Sequence, residues 1–309
     1  MHFTGTIWRP PYEAGSLLLE ATAGCTHHRC KFCALYADLP FRFRAAPLDV
    51  IERDLIEVQM ALHSPAALAS ERLFWERPRQ IERVFLTGAN PFALSAARLL
   101  EIAALISRHL PAVRSIGCFA RVTDSMNKTD ADLLALRKAG FDALTIGAET
   151  GDRTALAFMR KGYAPEDIVE QCGRLGRAGI SYGFFYLAGI CGAGKGVAGA
   201  EASARVFNRL RPFLVGANML TVFKGTALHE EMEGGRWREA GEREKYAELR
   251  ALVAALDIPT EFAALGASNA VPLQGRLPAD RESLLAALDR ILGMTEEDLR
   301  CYREGVRHL

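Results

Sequence analysis

The sequence predicts an α/β fold built on a parallel sheet. Short apolar runs alternate with stretches of helical hydrophobic spacing, and this alternation repeats six times along the first two thirds of the chain. Residues 16–22 (SLLLEAT) form the first apolar run, ending in a Gly24-Cys25 turn, and read as a buried strand. Leu48, Val50, Ile51, Leu55, Val58 and Leu62 follow at helical spacing, with Pro47 suited to a first helical turn. The cycle continues with strand 83–87 and helix 95–109, then strand 113–119 and helix 130–139, which Gly140 caps. Strand 141–146 precedes helices 152–159 and 165–178; strand 180–187 precedes helix 199–210; strand 214–222 is the sixth. Such succession implies helical crossovers between parallel strands. At about 35 to 40 residues per unit the sheet is expected to curl into a barrel or partial barrel, with a flat doubly wound sheet as the alternative.

After Phe223 the alternation stops. Helical stretches at 239–256 and 280–292 flank a loop-like segment at 264–278, and a final helix starts near Thr295. The expected organisation is a barrel domain over residues 1–225 and a mostly helical extension over 226–309 packed on it. Residues 64–80 read as a long irregular insertion.

The chain has 309 residues, half of them hydrophobic and 24% charged, which excludes a disordered or collagen-like chain. Its 38 basic and 37 acidic residues give a net charge of +1, so bulk charge favours neither nucleic acid nor anionic membrane. No apolar run reaches the roughly 18 residues of a membrane span. Met1-His2-Phe3-Thr4-Gly5 has no signal-peptide pattern. A cytoplasmic location with reduced thiols is therefore expected.

Three of the seven cysteines crowd into one segment, Cys25-Thr26-His27-His28-Arg29-Cys30-Lys31-Phe32-Cys33, where the first strand ends. Chemistry in parallel α/β folds sits at the carboxyl ends of strands. Three thiolates on one loop suit an iron–sulfur cluster that keeps one iron without a protein ligand. A closed zinc site would need a fourth ligand, which His27 or His28 could supply. Both readings stand on spacing alone. Cys118, Cys172, Cys191 and Cys301 are scattered and read as small buried hydrophobes, with Cys191 on a strand-end loop.

Residues 24–36 (GCTHHRCKFCALY), with Phe41-Arg42-Phe43-Arg44, resemble a group of uncharacterised iron–sulfur oxidoreductases of the radical S-adenosylmethionine (SAM) superfamily. Members usually carry CxxxCxxC after the first strand of a partial (β/α)6 TIM-like barrel, with an aromatic residue before the third cysteine, as Phe32 is here. This chain has one residue more between its first two cysteines. The resemblance extends into the tail around Ser268-Asn269 and 272–275 (PLQG). It implies a [4Fe–4S] cluster on Cys25, Cys30 and Cys33, and SAM as the second cofactor. Gly88-Ala89-Asn90-Pro91 is similar to the family's GGEP turn, whose acid holds the SAM amino group; Asn90 stands in the acid's place. Glu149, in 147–151 (GAETG), is similar to the acid of the GxESG segment near the SAM ribose or methionyl part. Ile190 matches an apolar adenine contact, and Arg121, Arg160 or Lys161 are candidates for the SAM carboxylate.

The same resemblance implies reductive cleavage of SAM to a 5′-deoxyadenosyl radical that takes a hydrogen atom from a small-molecule substrate. The electron would come from a donor such as flavodoxin or ferredoxin. Residues 189–195 approach a phosphate loop, but Gly196 replaces the hydroxyl residue that would bind Mg²⁺. Arg42 and Arg44 alternate with phenylalanines as on an edge strand, where surface ion pairs are the ordinary role. Arg72, Phe74, Trp75, Arg77, Arg79 and Arg83 mix basic and aromatic residues as nucleic-acid grooves do, yet Glu71, Glu76 and Glu82 lie among them. A zinc-binding non-redox protein and an RNA-modifying radical SAM enzyme remain the alternatives, and nucleic acid is not the expected partner. Neither an N-terminal cobalamin-binding domain nor a second cysteine-ligated cluster in the tail is expected.

Overall fold

The computed structural model describes residues 1–64 and 80–306. The chain divides into two compact units, residues 1–26, 35–144 and 178–180 in the first, and 27–34, 145–177 and 181–309 in the second.

The first unit holds β1 (Leu17–Glu20), β2 (Thr22–Gly24), β3 (Phe43–Ala45), α1 (Leu48–Leu62), β4 (Arg83–Thr87), α2 (Ala96–His109), β5 (Ser115–Ala120), α3 (Asp130–Lys138) and the start of β6 (Phe141–Glu149). β1 pairs in parallel with β4, and β4 with β5. Leu19, Val84, Phe85 and Leu86 are fully buried, as near-continuous apolar strands must be when both faces are covered. Helix starts are set locally. Ser95 accepts the Arg98 N–H ahead of α2, and Thr129 exchanges hydrogen bonds with Asp132 ahead of α3. Arg83 ties three segments together: its guanidinium donates to both oxygens of buried Glu13, at 2.8 and 2.6 Å, and to Asp142 at 2.9 Å. β2 and β3 form a separate antiparallel ribbon.

The second unit holds the end of β6, α4 (Arg153–Phe158), α5 (Pro165–Arg177), β7 (Ser181–Ala188), α6 (Gly196–Phe207), β8 (Leu214–Met219), α7 (Ala227–Glu233), α8 (Glu242–Ala255), β9 (Thr260–Ala264), β10 (Leu273–Leu277), α9 (Arg281–Leu292) and α10 (Glu296–Val306). β7 pairs in parallel with β8, β8 in parallel with β9, and β10 closes antiparallel on β9. The order across the mostly parallel sheet is β1-β4-β5-β6-β7-β8-β9-β10.

The tail differs from the sequence expectation at α7, β9 and β10, none of which the hydrophobic spacing predicts. Residues 264–278 are not all loop: they contain β10, whose partners run from Leu273↔Ala264 to Leu277↔Thr260. Leu273 and Leu277 are buried while Gln274 and Arg276 are exposed, a period-two pattern that Gly275 and Pro278 obscure.

Inside the second unit α8 supplies buried charge. Lys245 is 1% exposed; its ammonium donates to the Leu220 carbonyl at 3.1 Å and to Glu239 and Glu242 at 3.0 and 3.3 Å. Arg303 from α10 reaches Glu242, the Leu220 carbonyl and Thr221. Glu248 is fully buried and accepts from the Tyr186 hydroxyl at 2.5 Å and the Gly189 N–H at 2.8 Å. Burial outweighs these donors and pushes the Glu248 carboxyl from 4.5 up to about 7. A folded-state pKa above the unfolded one means the unfolded chain releases its proton first. The stability this group contributes is therefore present at low pH and is lost as pH rises from about 4.5 to 7. Glu248→Gln should lack that loss. Urea unfolding at several pH values should show the variant gaining on the wild type by up to about 3 kcal/mol across this window. A difference that stays flat with pH contradicts a buried, high-pKa carboxyl.

Candidate functional site

The cysteine loop is anchored in two segments. Gly24 (φ +77°) ends β2, and a Cβ there would lie 2.2 Å from the Arg42 carbonyl oxygen, so the close approach of the ribbon strands requires glycine. The next residue, Cys25, donates its N–H to that carbonyl at 2.8 Å. Thr26 is bound by Asn90, whose Oδ1 accepts the Thr26 N–H at 3.3 Å and whose Nδ2 donates to Thr26 Oγ1 at 2.7 Å. Both contacts lie within the first unit.

Residues 27–34 belong to the second unit. Lys31 is the centre of this segment. Its N–H donates to the Met159 carbonyl at 3.1 Å, and its carbonyl accepts the Leu228 N–H at 2.9 Å. Its ammonium pairs with Glu231 at 2.8 Å and lies 3.8 Å from the Phe158 ring centre. His27 Nε2 lies 2.6 Å from the Arg160 carbonyl, an acceptor, so this nitrogen carries the proton and donates. Phe32 packs against the buried cluster of Met159, Ile190, Leu220, Leu228 and Trp237. Cys25 and Cys30 are half-buried and Cys33 is exposed.

The turn after β4 is sterically fixed. Gly88 has φ +127°, and a Cβ on it would stand 2.0 Å from Thr22 Oγ1 and 2.5 Å from the Thr22 carbonyl oxygen. Ala89 is half-buried and Asn90 is fully buried. Asn90 Nδ2 also donates to both oxygens of Asp124 at 3.2 Å, and the Arg121 N–H donates to Asp124 Oδ2 at 2.8 Å. Desolvation lifts the Asp124 carboxyl to about 6. The Arg121 guanidinium donates to Thr123 Oγ1 at 3.0 Å. Lys128, 3% exposed, donates to the carbonyls of Phe92, Leu94 and Asp124 at 2.6, 2.9 and 3.1 Å, and its burial lowers its pKa. Thr22 Oγ1 has no hydrogen-bond partner among the described residues and lines a small cleft with Glu20, Tyr36, Thr87 and Gly88.

In the second unit, Glu149 ends β6 with φ +63°, a left-handed conformation that costs a residue with a Cβ about 1 kcal/mol or more. Its Oε1 takes a hydrogen bond from Lys161 at 3.1 Å, and Lys161, 4% exposed, lies 5.7 and 5.6 Å from the Phe32 and Tyr163 ring centres. The Tyr163 hydroxyl donates to the Gly147 carbonyl at 2.7 Å. Ile190 is 1% exposed within the Phe32 cluster.

The structure thus groups Phe32, Glu149, Lys161 and Ile190 in one unit, and Gly88, Ala89, Asn90 and Arg121 in the other. It adds Lys31, Asp124, Lys128, Lys245 and Glu248, which sequence reading passed over. An isolated charged residue in a helix or turn carries no pattern, and burial alone marks these five. No disulfide joins the seven cysteines. Burial pushes the Cys118 and Cys172 thiols well up and the Cys191 thiol to about 12, so these three are packing residues. Cys301 is exposed on α10. Among the described residues no three His, Cys, Asp or Glu side chains stand close enough to hold a metal ion. The donor chemistry of the loop suits an iron–sulfur cluster: three cysteines on one short loop, two half-buried and one exposed. Arg72, Phe74, Trp75, Arg77 and Arg79 lie outside the described residues.

A family model described as the radical SAM superfamily matches residues 19–193. No curated protein matches. Among solved structures, this chain is similar to coproporphyrinogen III oxidase (HemN) from Escherichia coli, a radical SAM enzyme, at 15% identity and TM-score 0.57, covering 77% of this chain and 51% of that one. It is similar to methylornithine synthase (PylB) at 16% identity and TM-score 0.51, covering 93% and 85%. It is also similar to the radical SAM methyltransferase TsrM from Kitasatospora setae, solved with cobalamin and a [4Fe–4S] cluster, at 17% identity and TM-score 0.52, covering 71% and 37%. The chain spans half or less of the length of the first solved structures it matches. These likenesses show the fold, the α/β TIM-like barrel of such enzymes.

Gly88→Ala tests the turn. The clash with Thr22 and the positive φ should together lower unfolding free energy by about 2 kcal/mol or more, read as a lower urea midpoint with unchanged slope. A midpoint equal to the wild type would show that the turn after β4 tolerates a side chain.

Proposed function

The chain belongs to the radical SAM superfamily, and from that premise we propose that Cys25, Cys30 and Cys33 hold a [4Fe–4S] cluster and that residues at strand ends bind SAM. Members are enzymes that use this cluster with SAM and need an electron donor. When bound, the two cofactors would supply reductive cleavage of SAM, driven by one electron from the donor, and with it hydrogen-atom abstraction from substrate.

The chain's own residues bind, orient and exclude water. Three thiolates serve three of the four irons. Phe32 and Ile190 belong to one apolar cluster and give SAM a dry wall at its adenine. Glu149, oriented by Lys161, offers acceptor oxygens to the ribose or methionyl part. Gly88, Ala89 and Asn90 contribute main-chain groups, and Arg121 a cation for the SAM carboxylate. The substrate we propose is a small molecule, the reaction an oxidation or reduction, the electron donor a flavodoxin or ferredoxin, and the location cytoplasmic; no helix among the described residues is long and apolar enough to cross a membrane. We also propose that residues 1–225 form the barrel domain and 226–309 its extension.

The observation that carries this reading is the family match over residues 19–193 together with the partition of the thiols. Within the matched segment the loop cysteines are half-buried or exposed, while Cys118, Cys172 and Cys191 are buried. Anaerobic reconstitution tests it. The wild type should turn brown with about four irons per chain, and its dithionite-reduced paramagnetic resonance signal should change when SAM is added. Cys→Ser at 25, 30 or 33 should each abolish that SAM-dependent change, whereas Cys172→Ser should keep it. A colourless protein holding one zinc overturns the proposal. Cleavage of SAM without 5′-deoxyadenosine shows that a different carbon–sulfur bond is cut.

A further inference from the structure

We infer that Asn90 and Asp124 form a clamp on the first leg of the cysteine loop, with Asn90 a positioning residue whose side chain holds Thr26. The inference rests on the reading of Cys25 as a cluster ligand. The fully buried Asn90 amide spends both N–H donors within the protein, one on Thr26 Oγ1 at 2.7 Å and one on the Asp124 carboxylate at 3.2 Å. Its carbonyl takes the Thr26 N–H at 3.3 Å. An amide can sit either way round in such a site, and Asp124 decides which. An ionised carboxylate only accepts, so it draws the NH2 toward itself and leaves the carbonyl for the Thr26 N–H. Asp124 is itself held by the Arg121 N–H at 2.8 Å. On the other side, the Cys25 N–H is fixed to the Arg42 carbonyl at 2.8 Å. The backbone of Cys25 and Thr26 is thus gripped from both ends.

This arrangement also accounts for an amide at position 90. A carboxylate there would face a second buried carboxylate at about 3 Å, where the two cannot both ionise. The pair should therefore work as one acid and one amide in either order. With the acid moved to position 90 and the amide to position 124, the new carboxylate would accept from the new amide and from the Thr26 N–H, and the Thr26 hydroxyl would turn to donate.

The test reads the loop without any cluster. Apo-protein is alkylated with iodoacetamide, and the rate at Cys25 is followed by peptide mapping in wild type, Asn90→Asp, Thr26→Val and the double variant N90D/D124N. Asn90→Asp should label about tenfold faster, because it sets two acids against each other and releases Thr26. Thr26→Val, an exposed position whose change spares the core, should label about threefold faster through loss of the 2.7 Å contact alone. The double variant should return to within about twofold of wild type. Wild-type rates in both Asn90→Asp and Thr26→Val overturn the clamp; so does a double variant that labels as fast as Asn90→Asp while melting like the wild type. If Asn90→Asp does not fold, Thr26→Val decides. Anaerobic reconstitution of the same samples separates the two claims. Wild type that takes up no iron but shows the expected labelling order removes the cluster reading and keeps the clamp, and wild type that takes up iron with flat labelling does the reverse.

Discussion

Parallel strands end abruptly, and the polar groups set free at their carboxyl ends must be satisfied without much water. Much of this protein answers to that constraint. Three carbonyls in the first unit meet on the Lys128 ammonium. In the second, the Leu220 carbonyl after β8 accepts from Lys245 and Arg303, and the Gly189 N–H after β7 meets Glu248. Each is a charged side chain brought inside to serve backbone. Two of them show the cost as well: desolvation lowers the pKa of Lys128 and raises that of Glu248.

The same constraint shapes the cysteine loop. The nine-residue loop leaves two of its cysteines half-buried and one exposed, so burial of these side chains does not fix its shape. Its conformation comes instead from backbone hydrogen bonds. Cys25 and Thr26 are bound to Arg42 and Asn90, while Lys31 is bound to Met159 and Leu228. The Lys31 ammonium then adds an ion pair and a ring contact in a partly desolvated setting, where both weigh more than at the surface. The left-handed residues Glu149 and Arg160 belong to the same economy. Their backbone strain is tolerated because Lys161 engages the Glu149 carboxylate and His27 engages the Arg160 carbonyl.

Two acids, Asp124 and Glu248, carry raised pKa values, one in each unit. Both act on backbone at or beside residues proposed to bind the cofactor: Asp124 on the Arg121 N–H and Glu248 on the Gly189 N–H. Neither side chain is needed as an acid or base for the proposed chemistry. Their burial serves geometry.

The sequence by itself determined the class of this protein. Six apolar runs separated by helical spacing leave little choice but parallel strands with crossovers, because periodicity is local and survives without tertiary information. The CxxxxCxxC segment and Phe32 were legible for the same reason, being contiguous. What the tertiary structure decided are the long-range pairings. Asn90 meets Asp124 and Thr26, and Glu248 meets Tyr186 and Gly189, across separations that no spacing rule spans. β10 was hidden because Gly275 and Pro278 interrupt its alternation, and only pairing with β9 reveals it. A buried charge looks like any other charged residue in one dimension. Only folding determines which of them lose their water, and those are the ones that shape the site.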